Sequence, residues 1–129
     1  MSRQLDAAIA EALGHEVKWE FAEKKSYTGH KSDLSKVYKK KVDSGWFDVP
    51  YYSTDAEAML ELDSEMRERG WVIDECFCTK VVKEYQWYVC YQSFSEGMRF
   101  DGQANAEPFA RALSAYKALT GKEWEGEGE

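Results

Sequence analysis

Apolar residues recur at helical spacing in three segments, which predicts three amphipathic helices. The first spans residues 2–13 and carries the stripe Leu5, Ala8, Ile9, Ala12 and Leu13. The second spans residues 54–69, where Thr54 as N-cap and Glu57 three positions later match a capping box. The third spans residues 106–120 and ends before a glycine. Each stripe has to be buried against another element.

Other segments alternate apolar and polar residues, as strands do. Residues 16–21 place Val17, Trp19 and Phe21 on one side. From residue 71 onwards, three alternating runs follow one another over short links, which predicts an antiparallel meander. The lysine-rich segment 22–44 has little periodicity, and we expect a loop there with a short strand around Val37 and Tyr38.

This order of elements predicts an α/β domain, more narrowly a three-layer α-β-α sandwich with one mainly antiparallel sheet and helices on both faces. We expect a single domain over residues 1–121 and a disordered acidic tail over residues 122–129. A set of apolar side chains is expected to be largely buried: Leu62, Trp71, Trp87, Val89 and Leu113.

Charge and composition narrow the class of protein. The formal net charge is −7, which disfavours general binding to nucleic acid. The sequence lacks a signal peptide and an apolar run long enough to cross a membrane, so no membrane association is expected. Three cysteines form no disulfide framework, which fits a reducing cytoplasm.

Three pieces of the chain resemble the phage ABA sandwich family, small proteins of tailed phages and prophages. They are the opening helix leading to a tryptophan strand (Leu5 to Trp19), the Pro-Tyr-Tyr-Ser-Thr-Asp run (Pro50 to Asp55) before a helix that ends at Gly70, and the alanine-rich closing helix (Ala106 to Leu113). The resemblance implies a three-layer α-β-α fold and a phage origin. It implies no catalytic residues.

The residues themselves indicate no catalytic or metal centre. Cys76 and Cys78 are separated by one residue within a strand, and Cys90 has no close second cysteine, whereas structural zinc sites usually pair cysteines two to four positions apart on a turn. The neighbours Asp74 and Glu75 point to opposite faces of a strand, which argues against an acid–base pair. We therefore expect no enzyme, no metal and no cofactor.

Aromatic and basic residues suggest a binding surface instead. The aromatic loop residues precede a helix N-terminus, which favours anions, and stacking rings with a few cations are typical of nucleotide sites. The candidate ligand-binding residues are Trp46, Tyr51, Tyr52, Arg67, Arg69 and Arg99. Because two of the arginines end a helix about 20 Å from its start, a single site favours a homo-oligomer. The alternative is a packed sheet with solvated Lys and Arg at its ends.

Two functions remain open at this point. One is a phage-encoded counter-defence protein that binds and sequesters a small, anionic, nucleotide-type host immune signal. The other is an acidic, protein-binding inhibitor of a host defence complex, of the anti-CRISPR or anti-restriction type.

Overall fold

A computed structural model describes residues 3–25, 32–81 and 84–125. Along the chain, the elements are α1 (Arg3–Ala12), β1 (Val17–Lys25), β2 (Ser32–Val42), β3 (Gly45–Asp48), α2 (Ala56–Glu68), β4 (Trp71–Val81), β5 (Glu84–Ser93), β6 (Arg99–Ala104) and α3 (Glu107–Thr120). The three predicted helices are present within two residues of their expected ends.

The described strands form two separate antiparallel sheets of three strands each, in the orders β1-β2-β3 and β4-β5-β6. The mixed α/β class, the three helices and the antiparallel meander from residue 71 are confirmed. The expectation of one continuous sheet is wrong. Helix α1 contacts the first sheet and α3, and α3 contacts the second sheet, so these two helices link the sheets.

The lysine-rich segment is where the prediction of a loop fails. Strand β1 continues to Lys25, and β2 is eleven residues long rather than short, whereas residues 26–31 lie outside the described part. The lysine charges are matched across the sheet, since Lys39 lies 2.6 Å from Asp48 and Lys41 lies 3.7 Å from Glu16. Lys40 is buried on the opposite face of the sheet. A charged residue at a buried position interrupts the alternation of apolar and polar residues from which a strand would be predicted.

Helix α2 begins one residue later than the capping-box prediction. Its N-cap is Asp55, whose carboxylate accepts a hydrogen bond from the Ala58 N–H at 3.1 Å. An aspartate accepts this bond as well as a threonine and also complements the positive end of the helix. The predicted cap Thr54 is exposed in the preceding turn.

The second sheet packs closely against α3. A β-carbon added at Gly102 would lie 2.2 Å from the Ala110 carbonyl oxygen and 2.6 Å from the Ser114 nitrogen. The helix backbone therefore lies directly on β6, with no side-chain layer at this point. Ser114 bridges the strands, because its hydroxyl donates to the Phe100 carbonyl at 2.6 Å and accepts from the Tyr91 N–H at 3.1 Å.

The core lies mainly between this sheet and the helices. Leu62 and Val89 are fully buried, as expected. Trp71, Trp87 and Leu113 are partly buried and pack against the core cluster. Tyr91 is also fully buried, and its hydroxyl donates to the Asp63 carboxylate at 3.2 Å. Burial and this neighbouring carboxylate both raise the pKa of Tyr91.

An ion pair within α1, formed by Arg3 and Asp6, is hydrogen-bonded to the loop after β3. The Asp6 carboxylate is fully buried, pairs with Arg3 at 2.7 Å and accepts the Ser53 N–H at 2.8 Å. Arg3 also donates to the carbonyl oxygens of Val49 and Pro50. Burial raises the pKa of Asp6 more than these partners lower it.

The packed part of the chain extends beyond the boundary expected at residue 121. The Trp124 ring lies edge-on to Tyr116 with centroids 5.2 Å apart. Residues 126–129, the end of the expected tail, lie outside the described part. Among the described residues, no helix has the length and apolar character needed to cross a bilayer.

Candidate functional site

The two tyrosines predicted to bind a ligand occupy different environments. Tyr52 is fully buried, and its hydroxyl lies 3.5 Å from the Glu65 carboxylate. Burial, together with Glu65, raises the pKa of Tyr52. Tyr51 is exposed, and the Arg3 guanidinium lies 3.7 Å from its ring centroid. Tyr51 therefore lies at the surface, whereas Tyr52 belongs to the core.

Trp46 lies on β3 in the first sheet and is partly exposed. The Lys18 ammonium lies 4.4 Å from its ring centroid, a cation–π contact across the sheet.

The arginines at the end of α2 are engaged by other groups of the protein. Arg69 donates to the carbonyl oxygens of Leu13 at 2.6 Å and of Glu65 at 3.0 Å, which ties α2 to the end of α1. Arg67 pairs with Asp63, one turn earlier, at 3.3 Å.

Arg99 lies on β6, where it pairs with Asp74 at 2.7 Å and with Glu75 at 2.9 Å. The bond to Glu75 is the main reason why the pKa of Arg99 is raised. The charge of Arg99 is thus balanced by two neighbouring carboxylates of β4. The register of β4 shifts between Ile73 and Glu75, and both carboxylates reach the same guanidinium nitrogen, contrary to the expectation that Asp74 and Glu75 point to opposite faces.

The six predicted residues are therefore distributed over the core, the first sheet, the end of α2 and the second sheet. The structure does not bring them together in one chain. Each of the three arginines is already engaged by a carboxylate or a carbonyl. Ligand binding by these residues stays a prediction, and it requires that an anion compete with those partners.

A groove between α1 and β1 gathers aromatic residues more closely. It has a volume of about 410 Å³, a size typical of ligand sites. One wall is formed by four residues of α1, which are Gln4, Ala7, Ala8 and Glu11. The other wall is formed by Val17, Lys18, Trp19, Tyr38 and Trp124. Three aromatic side chains, from β1, β2 and the segment after α3, thus border one cavity. Trp19 is 53% exposed, so part of its ring is accessible to a ligand.

Glu11 and Lys18 both line the groove, but the Lys18 ammonium lies on the other face of the sheet. Successive residues of a strand point to opposite faces, so the Lys18 side chain is directed away from the face that carries Trp19. Its ammonium lies over Trp46 on that other face. Glu11 is exposed on the α1 wall. Aromatic faces beside a carboxylate favour a cation or an apolar group over a phosphate.

The thiols are distributed over both faces of the second sheet. The β4–β5 register places Cys90 opposite Glu75 and Cys76 opposite Val89, so Cys90 faces away from Cys76 and Cys78. All three cysteines are free. Burial raises the pKa of the Cys90 thiol. Within the residues that the structure describes, no three His, Cys, Asp or Glu side chains are grouped as metal ligands would be.

Sequence reasoning missed the groove because its residues are far apart in the chain. The sequence predicts Trp19 in a strand and Trp124 in a disordered tail, and nothing in local spacing indicates that both border α1. The one signal was Trp124 itself, a large apolar residue in an otherwise polar segment.

These elements define a mixed α/β fold of two antiparallel meanders joined by three helices. The fold is similar to that of a phage protein from Bacillus cereus ATCC 14579, known from a crystal structure at 2.0 Å. The TM-score is 0.60 at 18% identity, and the match covers 95% of this chain and 90% of that protein. At this identity the likeness concerns the fold. No protein-family model matches the chain. No curated protein matches it either.

Proposed function

We propose that this chain is a phage-encoded accessory protein that acts by binding, without catalysis, and that it occupies a basic site on a host defence protein. The observation that carries the proposal is the α1–β1 groove, in which Trp19, Tyr38 and Trp124 stand opposite a wall that carries Glu11. Lysine and arginine side chains bind to such surfaces through cation–π contacts and a carboxylate. The net charge of −7 favours the approach of a basic partner.

The phage origin is supported by the fold shared with the Bacillus cereus phage protein and by the resemblance to the phage ABA sandwich family. We infer that such binding serves a counter-defence activity in the host cytoplasm.

Exposed aromatic residues outside the groove also support a protein partner. Phe47 is 56% exposed on the first sheet, and Trp46 and Tyr51 lie exposed on the same sheet or the loop after it. Aromatic side chains are enriched where protein interfaces carry most of their binding energy.

The test is capture from a host lysate with three variants of the protein. Trp19→Ala and Glu11→Lys alter opposite walls of the groove at exposed positions, and Leu60→Ala changes an exposed apolar residue of α2 outside it. We expect one host protein to bind the parent and Leu60→Ala directly, with both groove variants at least about tenfold weaker. Equal binding by all four proteins would show that the groove does not take part in binding the host protein.

A second candidate function is sequestration of a nucleotide-type signal, which the volume and the rings of the same groove favour. Thermal shift with cyclic nucleotides and ADP-ribose derivatives separates the two functions. A stabilisation that is lost in Trp19→Ala and kept in Glu11→Lys would support the nucleotide, because replacing a carboxylate with an ammonium favours the binding of a phosphate.

A further inference from the structure

The segment after α3 lies between two cavities of the molecule. Trp124 borders the α1–β1 groove of about 410 Å³ and also a second cavity of about 230 Å³. Residues of β6, of α3 and of the segment itself line the second cavity: Asp101, Gly102, Gln103, Leu113, Lys117, Glu123 and Trp124. A displacement of the Trp124 side chain would therefore open both cavities at once.

Trp124 and the residue before it dock on the last turns of α3. The Trp124 ring lies edge-on to Tyr116, with the ring centroids 5.2 Å apart. The Glu123 carboxylate lies 3.5 Å from the ammonium of Lys117, the next residue of the helix. Two consecutive residues of α3 therefore hold two consecutive residues of the segment.

The ion pair between Lys117 and Glu123 can be released at low cost. The Lys117 ammonium also lies 3.6 Å from the Asp101 carboxylate on β6, and the Glu123 side chain is 81% exposed. Ion pairs with so exposed a partner contribute little to stability, because water and salt screen them. When Glu123 leaves, Lys117 keeps Asp101, so the helix is not left with an unpaired charge.

The end of α3 defines where a movement of the segment can begin. Gly121 follows the helix with a φ of 73°, and its N–H donates to the Lys117 carbonyl at 2.7 Å. The Lys122 N–H donates to the Thr120 hydroxyl at 3.1 Å. These hydrogen bonds hold the chain as far as Lys122, so a change of direction that carries Trp124 away begins after that residue.

We propose that residues 123–125 form a lid over the α1–β1 groove, with Trp124 as its movable wall and the Lys117–Glu123 pair as its latch. The open lid admits a ligand, and the closed lid places the Trp124 ring against it. A ligand that contacts Trp124 in the closed state shifts the equilibrium towards closure. The movement itself is independent of the proposed function, whereas its role in ligand binding rests on that function.

Chymotrypsin cleavage after Trp124 in the full chain measures the opening of the lid. The products are quantified by mass spectrometry, and a synthetic peptide of residues 119–129 gives the rate for a fully open chain. Lys117→Gln removes the latch and leaves the cleavage site unchanged, so we expect cleavage about 2- to 5-fold faster than in the parent. Lys41→Gln removes an exposed pair with Glu16 in the first sheet and should leave the rate unchanged.

Cleavage after Tyr91 reports global unfolding in the same experiment, because Tyr91 is fully buried. We expect the bond after Trp124 to be cut long before the bond after Tyr91. Cleavage of both bonds at the same rate, or an equal rate after Trp124 in the parent and in Lys117→Gln, would overturn the proposal.

A basic peptide tests the role of the lid in binding. Tri-arginine supplies the cation expected in the groove and contains no aromatic residue that chymotrypsin would cleave. At about twice its Kd it should slow cleavage after Trp124 about threefold in the parent and have no effect in Glu11→Lys. Faster cleavage would show that the ligand displaces the lid and would overturn its closing role. An unchanged rate, with Lys117→Gln still cut faster, would contradict the proposed function but not the movement of the lid.

Discussion

The two halves of the chain share an order of elements, a helix followed by a three-stranded meander, but they expose their sheets differently. In the second sheet, Val89, Cys90 and Tyr91 of the central strand are at most 2% exposed, and α3 lies directly on β6. The first sheet carries Trp19, Trp46 and Phe47 with exposures of 39% to 56%. The central strand of the second sheet is thus part of the core, whereas these three aromatic side chains of the first sheet lie largely at the surface.

The largest effect is expected at Gly102 in the second sheet. Gly102→Ala would place a methyl group 2.2 Å from a helix carbonyl, so α3 must move, and we expect a loss of at least about 3 kcal/mol in the free energy of unfolding. The matched change in the first sheet is Gly45→Ala, whose nearest neighbour is the Phe47 ring at 3.2 Å. It should cost less than about 1 kcal/mol. Urea denaturation measures both, and equal costs would contradict the contrast between the sheets.

A second comparison uses one tryptophan from each sheet. Trp87→Ala removes a ring that packs against the core cluster and should cost about 3 kcal/mol. Trp46→Ala removes a partly exposed ring and one cation–π contact, so about 1 kcal/mol or less is expected. If Trp46→Ala proved as costly as Trp87→Ala, the first sheet would be part of the stable core.

A smaller loss is expected when Ser114 is replaced by alanine. The change removes a donor to Phe100 and an acceptor for Tyr91, and a buried backbone group is left without this partner. We expect a loss of about 1–2 kcal/mol. Ser64→Ala, at an exposed position of α2, is the control and should stay within about 0.5 kcal/mol of the parent.

The smallest effect concerns the pH dependence at Asp6, where α1 meets the loop after β3. Its pKa is raised above the ordinary 3.8, so the native state holds this proton more tightly than the unfolded state. The associated stability is present below pH 3.8 and is lost as the pH rises through the raised value. Relative to Asp6→Asn, the parent should therefore lose stability with rising pH in that window. A constant difference between the two proteins would show that Arg3 compensates burial in full.

The sequence predicted the elements whose signals are local. Helix stripes, the glycines after the helices and the alternation from residue 71 onwards all lie within short windows, and these elements are present. The first hairpin was missed because Lys39 and Lys41 find their charge partners on other elements, which no window reveals. The N-cap of α2 is Asp55 rather than the predicted Thr54. Either side chain can accept the N-cap hydrogen bond, so the sequence alone does not distinguish them.

The candidate site was harder to predict, because burial and pairing decide it. Tyr51 and Tyr52 are adjacent and chemically identical, but one is fully buried and the other lies under Arg3 at the surface. Arg69 and Arg99 could be recognised as cations, but their carbonyl and carboxylate partners come from the folded arrangement. The sequence pattern identifies which residues can bind a ligand, but it does not show which of them are already engaged by other residues of the protein.

The meander order of both sheets has a consequence for how the chain folds. Every strand pair joins neighbours in sequence, so each sheet can form by closing short loops, which is fast. The slow step should then be the meeting of α1 with α3, which lie near opposite ends of the described chain and pack together. Substitutions in that helix pair should slow refolding, whereas those in the hairpin turns should mainly alter the unfolding rate.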